Sequence, residues 1–296
     1  MFNTLKYYKL WFTVSGLILL FGIISLVAYG LKPGIDFTGG AEIQLQFDSP
    51  VELSKLKDAA AAKGLGSAQV QTVGNNGFII KTPPIEREQH DQLLQEIKTQ
   101  VGEFTEVHYD SIGPVIGREL KQNAFLQLLF VSVGIIIYIA YAFRKVSKPV
   151  TSWRFGGAGI IAPFHDLLFV LGVFSILGHF KGVEVDSLFV TAMLTVLGFS
   201  VHDTIVVFDR IRENLKLYGG QGMEFVVNHS IAQTLVRSLN TSLTVLFVLF
   251  SLLLFGGETI KYFVLALFLG IVVGTYSSIF IASPVLVLWQ KWRTRQ

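Results

Sequence analysis

Val196-Leu-Gly-Phe-Ser-Val-His202-Asp203-Thr204-Ile-Val-Val-Phe-Asp209-Arg210-Ile-Arg212-Glu213-Asn214 opens as an apolar, membrane-type helix and closes as a charged segment. Asp203 lies inside the apolar part. An ionised carboxylate at the centre of a bilayer costs about 3 kcal/mol on insertion scales. A chain that keeps one there pairs it, hydrates it or titrates it, and all three uses point to transport or energy coupling.

Outward from this stretch, the composition sets the class. Hydrophobic residues make up 51% of the chain and charged residues 15%, against about a quarter charged in ordinary soluble domains. Apolar runs of about 20 residues recur and predict a polytopic α-helical membrane protein with six spans. The runs fall at 10–29, 123–143, 157–178, 187–208, 235–255 and 262–289, the last long enough to be tilted, bent near Pro284 or partly outside the hydrocarbon core. The first is longer than the core of a signal peptide, so it reads as a retained span. Three parts follow: 1–32 with the first span, 33–121 as a domain of soluble composition, and 122–296 as a five-helix bundle. The chain lacks cysteine, which excludes disulfides, cysteine-held zinc and thiol catalysis.

The net charge of +3 does not point to nucleic acid, because the basic residues flank apolar runs. Lys6 and Lys9 precede the first. Arg144, Lys145, Lys148 and Arg154 lie between the second and third. Arg210, Arg212 and Lys216 follow the fourth, and Lys291, Arg293 and Arg295 close the chain. The outer loops hold Lys181 and Lys261 beside Glu184, Asp186 and Glu258. This asymmetry predicts both termini in the cytoplasm and the domain outside it.

Within 33–121 the pattern reads βαββαβ. A strand is expected at 41–47, a helix at 52–63, two strands at 70–73 and 78–81 around Gly74-Asn-Asn-Gly77, a helix at 85–101 and a strand at 106–112. That order suggests a small ferredoxin-like α+β domain. Gly34-Ile-Asp36-Phe-Thr-Gly39-Gly40 joins it to the first span. Adjacent glycines open backbone angles closed to other residues. No helix and no Lys-Ser/Thr pair follow, so the segment reads as a hinge rather than a phosphate loop.

Polar groups recur inside the spans. Span three carries His165-Asp166 and span four His202-Asp203. In span five Ser230, Thr234, Arg237, Thr241 and Thr244 recur at spacings of three or four, with Gln233 and Asn240 beside them, as one polar stripe. Arg237 cannot lose its proton, so an intramembrane carboxylate, Asp203 or Asp166, is its expected partner. Two readings stand: a salt bridge that fixes helix packing, or a proton relay in which Arg237 tunes Asp203. No span carries a three-ligand metal set. Gly270, Gly274, Ser277 and Ser278 form a small-residue stripe for close helix contact. Neither a Walker motif nor a serine–histidine–aspartate set is present in the domain, so no enzyme activity and no cofactor are expected.

Gly198–Asn214 (GFSVHDTIVVFDRIREN) resembles the fourth transmembrane segment of the SecD/SecF family of bacterial protein-export membrane subunits, on the SecF side. The Gly34–Gly40 motif after the first span is similar to that family too, and the likeness extends over essentially the whole chain. The resemblance implies an accessory subunit of the Sec translocase in the bacterial cytoplasmic (inner) membrane, coupling the proton-motive force to late steps of polypeptide export. It implies a SecD-like partner, the SecYEG channel, a YajC-like small membrane protein, the translocating polypeptide and membrane lipid as contacts. It also implies functional roles for Asp203 and Arg237, with His165, Asp166, His202, Thr234, Asn240, Thr241 and Thr244 as a supporting network. Two other classes were weighed. Half of a proton-driven small-molecule exporter of the resistance–nodulation–division type would need a larger outer domain. A passive membrane scaffold need not keep a charge in lipid.

Overall fold

The computed structural model describes residues 4–66, 68–144 and 152–294, except the side chains of 152–154 and 293–294. Lys145, Lys148 and Arg295, and the side chains of Arg154 and Arg293, therefore lie outside the described residues. The chain divides into two compact units, Pro33–Phe125 and Met1–Lys32 with Leu126–Gln296.

The Pro33–Phe125 unit is the expected α+β domain. A short helix α2 (Ile35–Thr38) leads into β1 (Gly40–Phe47), α3 (Leu53–Ala62), β2 (Gln69–Val73), β3 (Gly77–Thr82), α4 (Arg87–Gln100) and β4 (Phe104–Ile112). The four strands form one antiparallel sheet in the order β2-β3-β1-β4. Alternation decides its faces. Ala41, Ile43, Leu45 and Phe47 of β1 and Phe78 and Ile80 of β3 point inward, onto Leu56 and Ala59 of α3 and Leu93 and Ile97 of α4. The other face carries Glu42 opposite Lys81, paired at 3.2 Å. Lys63 and Glu96 tie α3 to α4 at 2.9 Å. The helix expected at 85–101 starts at Arg87, where Glu86 and Gln89 form a capping box after Pro83-Pro84.

The two adjacent glycines are required by geometry. Gly39 has φ +75° and Gly40 φ +146°. A Cβ on Gly40 would stand 2.7 Å from the Thr82 carbonyl oxygen, and one on Gly39 3.0 Å from Cα of Pro114. Thr38 closes the turn by donating its hydroxyl to the Gly34 carbonyl at 3.0 Å.

Among the described residues, six helical stretches are long and apolar enough to cross a membrane. They comprise α1 (Tyr8–Tyr29), α5 (Pro114–Ala142), α6 (Ser152–Lys181), α7 (Ser187–Tyr218), α8 (Met223–Phe255), and α9 (Glu258–Ser277) continued by α10 (Ser283–Thr294). Two helices run well beyond their apolar runs. α5 starts at Pro114 rather than near 123, because Pro suits the first helical position and Arg-Glu-Leu-Lys-Gln are strong helix formers. α8 starts at Met223 rather than near 235, since no breaker intervenes. The last run is not one helix: Ser278–Ala282 is wound as a π-helix. Pro284 follows this segment and offers no N–H, and the Ser283 hydroxyl donates to the Ser278 carbonyl, five residues back, at 3.0 Å.

Small residues set the helix contacts. α1 crosses α6 at Gly22 and Gly172, where a Cβ on Gly172 would stand 2.5 Å from Cα of Gly22. The Ser25 and Ser175 hydroxyls meet there at 2.9 Å. α7 meets α9 at Gly270 and Gly274, as the small-residue stripe suggested. α8 joins α9 through Ser242 and Thr275 at 2.6 Å. Towards the charged end of α7, Phe143 and Phe155 stack and both meet Phe208 edge-on within a buried cluster.

Candidate functional site: a polar seam between spans three, four and six

Asp203 is buried on α7, at 5% exposure. Its Oδ2 has no hydrogen-bond partner among the described residues. Ser238 of α8 stands beside it, but its own hydroxyl is likewise buried and unpartnered. One residue on, Thr204 shares a hydrogen bond with Ser278 at 2.8 Å, and Ser278 also reaches the Gly274 carbonyl at 2.9 Å.

One turn earlier on α7, Ser200 donates to Asp166 Oδ2 at 2.5 Å. Ser277, just before the π-helical segment, donates to the same oxygen at 2.9 Å. His165 Nδ1 lies 3.0 Å from Asp166 Oδ1. Asp166 has no exposed surface. The structure thus brings together His165, Asp166, Ser200, Asp203, Thr204, Ser277 and Ser278 from three helices. The glycines of α9 make this possible, since a Cβ on Gly274 would already touch Ser200 and Asp166.

The expected pairing of Arg237 with Asp203 or Asp166 is not formed. Arg237 is exposed on the surface of α8 and makes no ion pair among the described residues. The stripe read from the sequence divides. Ser230 and Thr234 are buried, whereas Arg237, Asn240, Thr241 and Thr244 face outward. The buried line runs Ser230, Thr234, Ser238, Ser242, a strict spacing of four. A step of one residue turns a side chain by about 100° around a helix, enough to move 237 off the face that 238 occupies. Thr241 and Thr244 donate back to the carbonyls of Arg237 and Thr241 and so satisfy themselves within α8. His202 is also exposed.

Sequence reasoning missed Ser200, a member of this seam, and Ser238 beside it. Their signal was the alignment of single hydroxyls with a glycine stripe on another helix, which no single-helix pattern reveals. At the charged end of α7, Arg210 pairs with Glu213 and Arg212 with Asp209, each at 2.6 Å. Arg210 also donates to Gln233 at 2.6 Å, and Asn214 to Ser230 and Gln233 at 2.8 and 2.9 Å, tying α7 to α8.

Two family models match the chain: the C-terminal region of the protein export membrane proteins SecD/SecF over residues 92–292, and the SecD/SecF GG motif over residues 24–51. The chain belongs to the SecD/SecF family. Among its SecD/SecF relatives is the protein translocase subunit SecF of Thermobaculum terrenum, 47% identical over 98% of this chain and 94% of the relative. SecF of Vibrio alginolyticus is 38% identical over 95% of this chain and 87% of its own length. The crystal structure of SecDF from Thermus thermophilus, described as a translocon-associated membrane protein, superposes with a TM-score of 0.85 at 35% identity. It is matched over 98% of this chain but 39% of its own, so this chain spans well under half of that SecDF polypeptide. The GG-motif match covers Gly34, Asp36, Gly39 and Gly40, the turn whose positive φ values and close contacts are described above.

Proposed function

We propose that this chain is an accessory subunit of the Sec protein translocase in a bacterial cytoplasmic membrane, and that it uses the proton-motive force together with a SecD-like chain. The relatives' names support the translocase role, and the SecDF polypeptide, in which the matched region is one part of a longer chain, supports the partner. The observation that carries the coupling is the division of charge between α7 and α8: a buried Asp203 with one oxygen unpartnered, and an outward-facing Arg237. An arginine left in lipid costs about 3 kcal/mol or more. A second polypeptide with a carboxylate at that depth would remove the cost, and SecD-like proteins are expected to bring one.

In this reading protons enter from outside between α7, α8 and the partner. Protonation of Asp203 removes its charge, and the hydroxyls of Ser238, Ser200 and Thr204 rearrange around it. One charge crossing 100 mV supplies about 2.3 kcal/mol, enough to bias a two-state motion. The GG turn, held in one geometry by its glycines, acts as the hinge that carries the motion to the outer domain and the emerging polypeptide. The SecYEG channel and a YajC-like small protein complete the assembly.

Asp203→Asn keeps size and shape but removes the titratable proton. In membrane vesicles holding equal amounts of assembled complex, the variant should assemble normally and lose stimulation of export by an imposed proton gradient. Normal stimulation would leave Asp203 a packing residue and sink the coupling role.

A further inference from the structure

We infer that Asp166 is a second proton-holding carboxylate, exchanging its proton with His165; this rests on the proton-coupled reading above. The geometry around it is that of a built site. Asp166 has no exposed surface and makes three hydrogen bonds, all with side chains that are not permanently charged: His165, Ser200 and Ser277. Neither lysine nor arginine pairs with it among the described residues. A buried carboxylate that serves only as structure is usually matched to a cation, and this one is not.

Its donors are reversible. A serine hydroxyl donates and accepts, so Ser200 and Ser277 serve Asp166 whether it is ionised or protonated. Ser277 already has a second acceptor in the Gly274 carbonyl at 3.2 Å. When Asp166 is protonated, its O–H has an oxygen to point at and the serine proton has somewhere to turn. Ser200, which donates to Asp166, lies three residues before Asp203 on the same helix.

His165 is the group that can share this proton. Its Nδ1 meets Asp166, and its ring lines a cleft of about 480 Å³ between α1, α6 and the end of the last span, with Phe12, Ser15, Phe164 and Ile281. The cleft lies beside the N-terminal half of α1. The titratable groups facing Asp166 are His165 on its own helix, Asp203 from α7, and Tyr276 from α9, whose ring lies 6.5 Å from that of His165. α1 brings Ser15, hydrogen-bonded to Tyr276 at 3.1 Å.

One proton moves within the pair. With Nδ1 unprotonated, His165 accepts the Asp166 proton there, leaving Asp166 ionised and the ring an imidazolium, and the reverse transfer restores both.

The test uses the full complex of this chain with its SecD-like partner, reconstituted in vesicles. Infrared difference spectra between two pH values should show a protonated-carboxyl band that disappears in Asp166→Asn and a different one that disappears in Asp203→Asn. Asp166→Asn should also lower gradient-driven proton uptake at least about tenfold, the lower end of what a positioned proton carrier contributes. His165→Gln, which keeps a hydrogen bond to Asp166 but has no titratable ring, should keep the Asp166 band and slow proton uptake by a similar factor; it carries the test even if Asp166→Asn fails to assemble. An infrared spectrum unchanged by Asp166→Asn, or proton uptake unchanged by His165→Gln, overturns the inference. Normal gradient-driven export by Asp203→Asn with an intact Asp166 band would instead sink the Asp203 role and leave Asp166 as the carrier.

Discussion

Position 270 has room for a hydrogen and little more. A Cβ there would stand 2.2 Å from Cγ2 of Val196, so Gly270→Ala must push α9 away from α7 or turn Val196 out of its pocket. Overpacking of this kind costs about 1–3 kcal/mol. The expected outcome is a lower unfolding midpoint of the chain in detergent, largely restored by adding Val196→Ala. The close approach also brings Ser277 to Asp166 and Ser278 to Thr204, so a single missing methyl group underlies the whole polar seam. At this scale the sequence was half legible. Asp203 and Asp166 stood out because a carboxylate in an apolar run has few explanations. The orientation of Arg237 did not, because a stripe read along one helix gives a face without saying what the face meets. Ser230 and Thr234 turned inward while Arg237 turned outward, and the difference is a single residue of rotation.

Among the elements, the turn at Gly39–Gly40 makes the sharpest demand on backbone geometry. A side chain at position 40 meets both an unfavourable φ and the Thr82 carbonyl. Gly40→Ala should therefore destabilise the chain by about 1–3 kcal/mol, read as earlier thermal unfolding and faster proteolysis of the outer domain. Gly64 also has positive φ but open space around it, so Gly64→Ala should cost less in the same assay. The order βαββαβ was legible, since alternation in β1 and the Gly74–Gly77 turn fix period and direction together, but the short helix Ile35–Thr38 ahead of it was not. Helix ends were not. Polar residues such as Arg118, Glu119, Lys121 and Glu224 are good helix formers, so hydropathy ends where the helix does not. The π-helical segment was foreshadowed only as a bend at Pro284. Proline marks where a helix must be disturbed, and the packing of Ser277 and Ser278 decides how.

For the whole molecule the open question is orientation, and the absence of cysteine makes it simple to examine. Single cysteines at Asn76 and Lys148 should respond oppositely to an impermeant thiol reagent in intact cells, with Asn76→Cys labelled and Lys148→Cys protected. The reverse pattern would invert the arrangement derived from the basic flanks. The six spans were legible because length and hydropathy suffice for them; which of their surfaces another polypeptide covers was not, because apolar side chains look alike towards lipid and towards protein. The outward face of α8 carries one more implication, for the life of the chain in the cell. Arg237 and Asn240 leave a newly inserted copy with polar groups that lipid cannot satisfy, the feature by which a membrane proteolytic system can tell an orphan from an assembled subunit. In pulse-chase measurements a copy made without its partner should decay several-fold faster than one made beside it. Arg237→Leu, which removes the mark, should lengthen the orphan's lifetime while abolishing its use. The same arginine that would make the complex work would then also set the ratio in which its parts survive.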